Sequence, residues 1–411
     1  MINLFFFDEY NSSIQNGIGT YRDILLPALG EINSLSVTLI SLNSFTSKDS
    51  ESERSFGHEI ALPYIHDGDW RGHGAEICDM LKKYITDSPC NIFMLNHSPA
   101  ADFIKNLKEN YPKSKLIFTV HDQGWCAALL GSRSLLEEII LKDKRPEKVS
   151  ENTFNNIKIY HKSELDIYNL VDKVISISPF MDNVMKDIYQ ISTDKRVMIY
   201  NGFTPFKTKK IRQATARRLL GFGADEELLI FAGRPVRHKG VAPLIMAVSE
   251  LRRTRPNLRC IMCGNMQTFA NYDNLIRPQA SAFVFTGQVP RDELPLWYAA
   301  ADVGVMPSYS EPFGYSAIEM ADRGLPIVVS DGSALGDIYH DNENAFVAPI
   351  GTDVTKRALY AQSIKEAITR ALDSSSYIRR RLYRKNKEYI NTRYSAAAMC
   401  DSYLGVFQSL M

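Results

Sequence analysis

No apolar run in this 411-residue chain approaches the roughly twenty residues that cross a bilayer as a helix. Charge of one sign is equally scarce. The 48 lysines and arginines against 47 aspartates and glutamates leave a net charge of +1, which removes the electrostatic case for a nucleic-acid partner. The six cysteines are scattered, and only Cys260 and Cys263 lie close together, within Leu258-Arg259-Cys260-Ile261-Met262-Cys263-Gly264. That segment reads as a buried strand. Residues three apart on a strand face opposite sides, so the pair is not placed to chelate one metal, and no second cysteine pair completes a zinc site. All six are expected to be reduced structural thiols of a cytoplasmic protein. The start, Met1-Ile2-Asn3-Leu4-Phe5-Phe6-Phe7-Asp8, has no basic leader and too short an apolar run for a signal peptide, and reads as a first buried strand.

Apolar residues make up 45% and charged residues 23% of the chain, the balance of an ordinary globular protein, and the length suggests two or three domains. Short apolar runs alternate with longer amphipathic ones. Strands are expected over 2–7, 37–42, 91–95, 116–120, 174–178 and 197–200. A second series is expected over 228–232, 258–263, 283–286, 303–306, 327–330 and 345–347. Their hydrophobicity is continuous rather than alternating, as in strands covered on both faces. With helical segments between them, the fold class is α/β, two doubly wound parallel sheets. The polar, basic stretch after Asn201-Gly202 reads as a linker, and 46–55 as a loop tip. Domains are expected at 1–202 and 203–393, the chain being mostly helical from Ser363 onward.

Glu311 and Glu319 lie in Ser310-Glu311-Pro312-Phe313-Gly314-Tyr315-Ser316-Ala317-Ile318-Glu319. Pro312 and Gly314 mark a tight turn, and 316–322 reads as the first turns of a helix. One carboxylate is therefore on a loop and the other about a turn into the helix, with helix N-terminal amides between them. Such amides suit phosphate. A ligand with hydroxyls at both ends and phosphate between fits this arrangement, and a nucleotide sugar has that shape. Gly233-Arg234-Pro235-Val236-Arg237-His238-Lys239-Gly240 joins an apolar strand to a helix and carries cations suited to a diphosphate. Asn16-Gly17-Ile18-Gly19-Thr20-Tyr21 follows the first strand, but Arg22 stands where a dinucleotide fingerprint has its third glycine, and no acid ends the second strand. His121-Asp122 ends the strand at 116–120, where parallel sheets bind ligands. Asp67-Gly68-Asp69 has the spacing of a metal-binding pair in a different fold; it lies far from the other motifs and is read as a loop.

The run 310–321 resembles the paired-glutamate signature of family-4 retaining glycosyltransferases, which have the GT-B fold. Its continuation, Arg323-Gly324-Leu325-Pro326-Ile327-Val328-Val329-Ser330, also matches. The loop 233–240 resembles that family's Gly-Arg…Lys-Gly loop, and 16–21 looks like its Gly-Gly-Ile-Gly-x-Tyr loop, with Asn16 for the first glycine. His121-Asp122 matches a His-Asp pair of the family. Gly287-Gln288-Val289 with Glu293-Leu294 and Tyr298-Ala299-Ala300-Ala301-Asp302 is similar to a further segment of it. The resemblance covers most of the chain and is strongest over 228–349.

The resemblance implies two Rossmann-like domains facing across a cleft. The N-terminal one would bind the acceptor and the C-terminal one the nucleotide sugar, with a helix at about 394–411 crossing back onto the first. It implies retaining transfer of a hexose to an acceptor hydroxyl in glycan or glycoconjugate biosynthesis, with no metal and no other cofactor. His121, Glu311, Arg234 and Lys239 would be catalytic. Gly17, Gly19, Val289, Phe313, Gly314, Tyr315 and Glu319 would join Arg234, Lys239 and Glu311 in holding the donor. A UDP-sugar is the favoured donor and a GDP-sugar the alternative; the acceptor would be a glycan, a lipid-linked molecule or a protein. The charged segment 133–170 lies where acceptor specificity is usually built. A cytoplasmic location is expected, with the basic cluster Arg379, Arg380, Arg381, Arg384, Lys385 and Lys387 offering peripheral contact at the inner membrane face or simply a solvated helix face. The rivals are a nucleotide-sugar epimerase and a non-catalytic sugar-binding or scaffold subunit of the same fold.

Overall fold

The computed structural model describes residues 1–9, 17–65 and 69–411. Two compact units emerge. The first comprises Met1–Trp125, Arg133–Thr204 and Arg393–Met411; the second comprises Cys126–Ser132 and Pro205–Thr392.

The first unit is built on an eight-stranded sheet of β1 (Ile2–Glu9), β2 (Leu35–Ser44), β3 (Ser50–Arg54), β4 (Gly57–Pro63), β5 (Asn91–Leu95), β6 (Lys115–Val120), β7 (Lys173–Ser176) and β8 (Arg196–Met198). Its order is β3-β4-β2-β1-β5-β6-β7-β8, parallel throughout except where β3 meets β4. β5 is buried at every residue and β6 at all but its first, as continuous apolar runs require. The helix Gly17–Gly30 buries Tyr21, Ile24, Leu25, Leu26 and Leu29. The C-terminal helix Ala396–Ser409 packs beside it, and the Tyr21 hydroxyl donates to that of Tyr403 at 2.6 Å.

Every expected strand is present, with ends shifted by at most a few residues. The expected loop tip at 46–55 is a correction: Ser50–Arg54 is an edge strand, antiparallel to β4. All five of its residues are exposed and polar, the composition that protects a sheet edge and that reads in a sequence as loop. β4 was hidden by its central Glu59. That carboxylate is buried, accepts from Ser41 Oγ at 2.5 Å and pairs with Arg54 of the edge strand.

The second unit holds six parallel strands, β9 (Glu227–Ala232), β10 (Leu258–Cys263), β11 (Phe283–Gly287), β12 (Val303–Met306), β13 (Ile327–Ser330) and β14 (Phe346–Ala348). Their order is β11-β10-β9-β12-β13-β14, so chain direction across the sheet reverses between β9 and β12. The apolar helix Val241–Leu251 and the helix Arg357–Leu372 bury Leu244, Val248, Ile364 and Ile368 in one cluster with Leu229 and Phe231. Each such side chain contributes about 1.5–3 kcal/mol of burial. Leu130 joins the same cluster, which is why Cys126–Ser132 groups with this unit. Cys260 and Cys263 are buried in β10, and burial pushes the Cys263 thiol up to about 11.

The basic cluster lies on the helix Ser376–Thr392 and is largely engaged in internal contacts. Arg379 donates to the carbonyls of Ala371 and Leu372 at the end of the preceding helix, Arg381 to the carbonyl of Asn342, and Lys387 pairs with Asp322 at 2.5 Å. No helix among the described residues is long and apolar enough to cross a membrane.

Within 133–170 lie the helices Arg133–Ile140 and Glu151–Leu170. Glu164 of the second accepts from the Gly124 amide at 2.7 Å and from the Tyr189 hydroxyl. Burial raises its carboxyl from 4.5 to about 7. The folded chain therefore binds a proton more tightly than the unfolded one. This contribution to stability is complete below pH 4.5 and is lost as pH rises through 7. Glu164→Gln keeps an acceptor for Gly124 and removes the titration. Its melting temperature relative to the native chain is expected to rise between pH 5 and pH 8; an unchanged difference refutes the buried-acid account.

Candidate functional site

Ligands in doubly wound sheets bind outside the carboxyl ends of the strands, where the order reverses. In the second unit that place lies between β9 and β12. The loop after β9 carries Arg234 and ends in a 3-10 turn, Arg237–Lys239. Gly240 follows with φ 70°, and a Cβ there would lie 1.8 Å from the Pro307 carbonyl oxygen, so only glycine lets the two loops approach so closely. The His238 carbonyl accepts from the amides of Tyr309 at 2.8 Å and Ser310 at 3.3 Å. Burial, with Lys239 beside it, pushes the His238 imidazole down to about 4.

This contact brings Lys239 and Glu311 together, with Lys239 Nζ 2.5 Å from Glu311 Oε2. Ser308 Oγ donates to the same oxygen at 3.3 Å, while Glu311 Oε1 has no donor among the described residues. The two side chains are 13% and 12% exposed, enough for a ligand to reach them. Ser333 holds the glutamate's backbone, accepting from its amide at 2.7 Å and donating to its carbonyl at 3.0 Å. It does so at φ 43°, ψ −130°, a strained conformation for a residue with a Cβ. Arg234 is exposed in the same loop.

Gly314, at φ 90°, turns the chain into the helix Tyr315–Arg323, whose first turn has no side-chain cap. Phe313 points its ring into the core, edge-on to Tyr315 at 4.9 Å. Glu319 lies inside this helix and is 5% exposed. Its Oε1 is 2.8 Å from Arg291 Nε, and its Oε2 accepts from the Tyr298 hydroxyl at 3.2 Å. Burial raises its pKa, partly offset by Arg291. Arg291 also lies over the Phe206 ring, 5.2 Å from its centroid, which places the Val289 loop beside Glu319. Asp302 is structural: it accepts from the Leu228 amide at 2.7 Å and pairs with Arg217 at 2.6 Å.

His121, Gly17 and Gly19 belong to the first unit. Gly17 is exposed and Gly19 buried in the first turn of their helix. Asn16 and Asp67 lie outside the described residues, and Asp69 is engaged with Arg71 at 3.3 Å. His121 Nε2 is 2.6 Å from Asn96 Oδ1, and burial pushes the imidazole down to about 3. Asn96 Nδ2 donates to Asp8 Oδ1 at 2.8 Å, His97 Nε2 is 2.9 Å from the same oxygen, and Arg22 pairs with Asp8 Oδ2 at 2.6 Å. Sequence reasoning missed Asp8, Asn96, His97, Ser308 and Ser333. A polar residue at the end of a continuous apolar strand would have signalled the first three; nothing in the sequence pointed to the two serines.

Residues 213–389 match the family described as Glycosyl transferases group 1. An uncharacterized glycosyltransferase of Methanocaldococcus jannaschii is 32% identical over 190 residues, 44% of this chain and 48% of the relative. The chain spans about half the length of the curated relatives it matches. The structure is similar over its whole length to the sucrose-phosphate synthase of Thermosynechococcus elongatus, with a TM-score of 0.76 at 19% identity and 99% of that chain covered. It is also similar to Anabaena HepE in complex with UDP-glucose, with a TM-score of 0.67 at 16% identity and both chains fully covered. The fold is GT-B, with two Rossmann-like units.

Gly240→Ala is expected to force the two loops apart and to cost at least about 1–3 kcal/mol, through the positive φ and the contact with Pro307. Denaturant unfolding measures this; a variant as stable as the native chain contradicts the close approach.

Proposed function

We propose that this chain is a retaining, metal-independent glycosyltransferase that moves a hexose from a nucleoside-diphosphate sugar to an acceptor hydroxyl. The observation that carries the reading is the Lys239–Glu311 pair, a cation and a carboxylate set by two loops at the point where the sheet order reverses. The HepE complex with UDP-glucose supports a UDP-sugar as donor. In this reading Glu311 Oε1 accepts from hexose hydroxyls. The amides of Phe313, Gly314 and Tyr315 hold sugar and phosphate, and the loop at Val289 meets the base.

Arg234 and Lys239 stabilise the departing diphosphate, whose charge is greatest in the transition state. They supply the positive charge that a metal would otherwise provide. The acceptor oxygen bonds to the anomeric carbon on the face the diphosphate leaves, and a departing phosphate oxygen takes the acceptor's proton. The test is a transferase assay over a panel of nucleotide sugars in excess EDTA, with the product's anomeric proton coupling read by NMR. Transfer with the donor's configuration kept is expected. An inverted product overturns the retaining assignment, and loss of activity restored by magnesium or manganese overturns metal independence.

Arg234→Ala and Lys239→Ala should each lower kcat on the order of a hundredfold. Glu319 requires more than a free carboxylate. At 5% exposure it can accept ribose hydroxyls only if Arg291, itself 40% exposed, gives way. Glu319→Ala should then weaken binding of the bare nucleoside diphosphate by roughly 1–3 kcal/mol, while Glu311→Ala should bind it nearly normally. Calorimetric titration of both variants separates the two ends of the donor, and the opposite pattern reverses their assignment.

A further inference from the structure

In the first sheet the strand order reverses between β1 and β5. Asp8 lies at the end of β1, Asn96 and His97 directly follow β5, and His121 directly follows β6. Asp8 and Asn96 are 1% and 0% exposed, and His121 is 9% exposed. The Asn96 amide donates to the Phe7 carbonyl at 3.0 Å, which pins the residue against β1.

The chemistry of this chain of contacts has one solution. The Asp8 carboxyl is held below its usual range, although burial alone would raise it, by His97, Arg22 and Asn96. As a carboxylate it only accepts, so the Asn96 NH2 group faces it and the Asn96 carbonyl oxygen faces His121. A carbonyl oxygen 2.6 Å away requires a proton on His121 Nε2. Burial keeps the ring neutral, with the His97 imidazole opposing and Asp8 favouring its charge. A neutral imidazole carries one N–H, so Nδ1 is left with its lone pair. The Tyr21 ring holds the imidazole edge-on at 4.7 Å between centroids.

We propose that Asp8 and Asn96 are positioning residues that hold His121 as its Nε2–H tautomer and so keep Nδ1 as a hydrogen-bond acceptor for a hydroxyl of a sugar substrate. The sugar contact rests on the function proposed above; the tautomer does not.

The full-length native chain labelled with 15N-histidine decides the tautomer, with the His121 signals assigned by their loss in His121→Gln. A protonated Nε2 and an unprotonated Nδ1 are expected at pH 7. A protonated Nδ1, or a doubly protonated ring, overturns the proposal without any variant having to fold. In Asn96→Leu the two tautomers should mix, and kcat should fall by up to about a hundredfold while nucleoside-diphosphate affinity stays within twofold. A mixed tautomer with unchanged kcat, or an unchanged tautomer in this variant, refutes the positioning role and leaves the proposed function standing. Absence of sugar transfer by the native chain with every donor refutes the function and leaves the tautomer to the NMR result.

Discussion

The Lys239–Glu311 ion pair is the contact on which the second unit's site depends. Its partners are 72 residues apart in sequence, on loops after β9 and β12, which are neighbours in the sheet. Both side chains are largely withdrawn from water, so losing one would leave the other a partly desolvated charge without its partner. The surrounding backbone is arranged around this pair. Gly240 gives up a side chain so that the loops can touch, the His238 carbonyl takes two amides from the opposite loop, and Ser333 adopts a strained conformation to hold Glu311 from behind. The strain at Ser333 is offset by two hydrogen bonds to a single residue.

The first unit solves a different problem at the equivalent place in its sheet. Its polar groups are buried rather than open, and Asp8 gathers Arg22, Asn96 and His97 around it. Arg22 explains why the loop before it only superficially resembles a dinucleotide fingerprint. A glycine at that position would let a helix press against the first strand; here a guanidinium occupies the position and neutralises the carboxylate at the strand's end. Burial would raise the Asp8 carboxyl, and Arg22 joins His97 and Asn96 in holding it below its usual range.

Much of this architecture was legible because a strand covered on both faces must be apolar along its length. β9, β10, β12 and β13 announce themselves in that way, and so does the helix Val241–Leu251. β3 and β4 were not legible. An edge strand is soluble because it is charged, and the strand beside it carries Glu59, whose partners Arg54 and Ser41 come from the two strands that flank it in the sheet. The placement of Arg234, Lys239, Glu311 and Glu319 after β9 and β12 was legible, because motif and sheet position coincide there. Asp8, Asn96 and Ser333 act through contacts across strands, and no local pattern records such contacts.

The two glutamates of the paired motif look equivalent in sequence and are physically unlike. Glu311 sits on a loop, and one of its oxygens is neutralised by a lysine while the other is open. Glu319 sits in the body of a helix, where burial raises its pKa and both oxygens are occupied. Its partners come from the same stretch of chain, Arg291 from the loop after β11 and Tyr298 from the helix that follows. Arg291 rests on Phe206, and Arg323 lies over the same ring at 4.9 Å, so two guanidiniums contact one aromatic ring beside a buried carboxylate. The positive charge at this end is on a long and partly exposed side chain, whereas at Glu311 the lysine is largely enclosed between two loops tied to each other by backbone hydrogen bonds. One carboxylate is thus held by two loops, and the other is covered by a partly exposed arginine. The spacing of two acids in a sequence carries neither property, because both follow from which strands the intervening loops bring together.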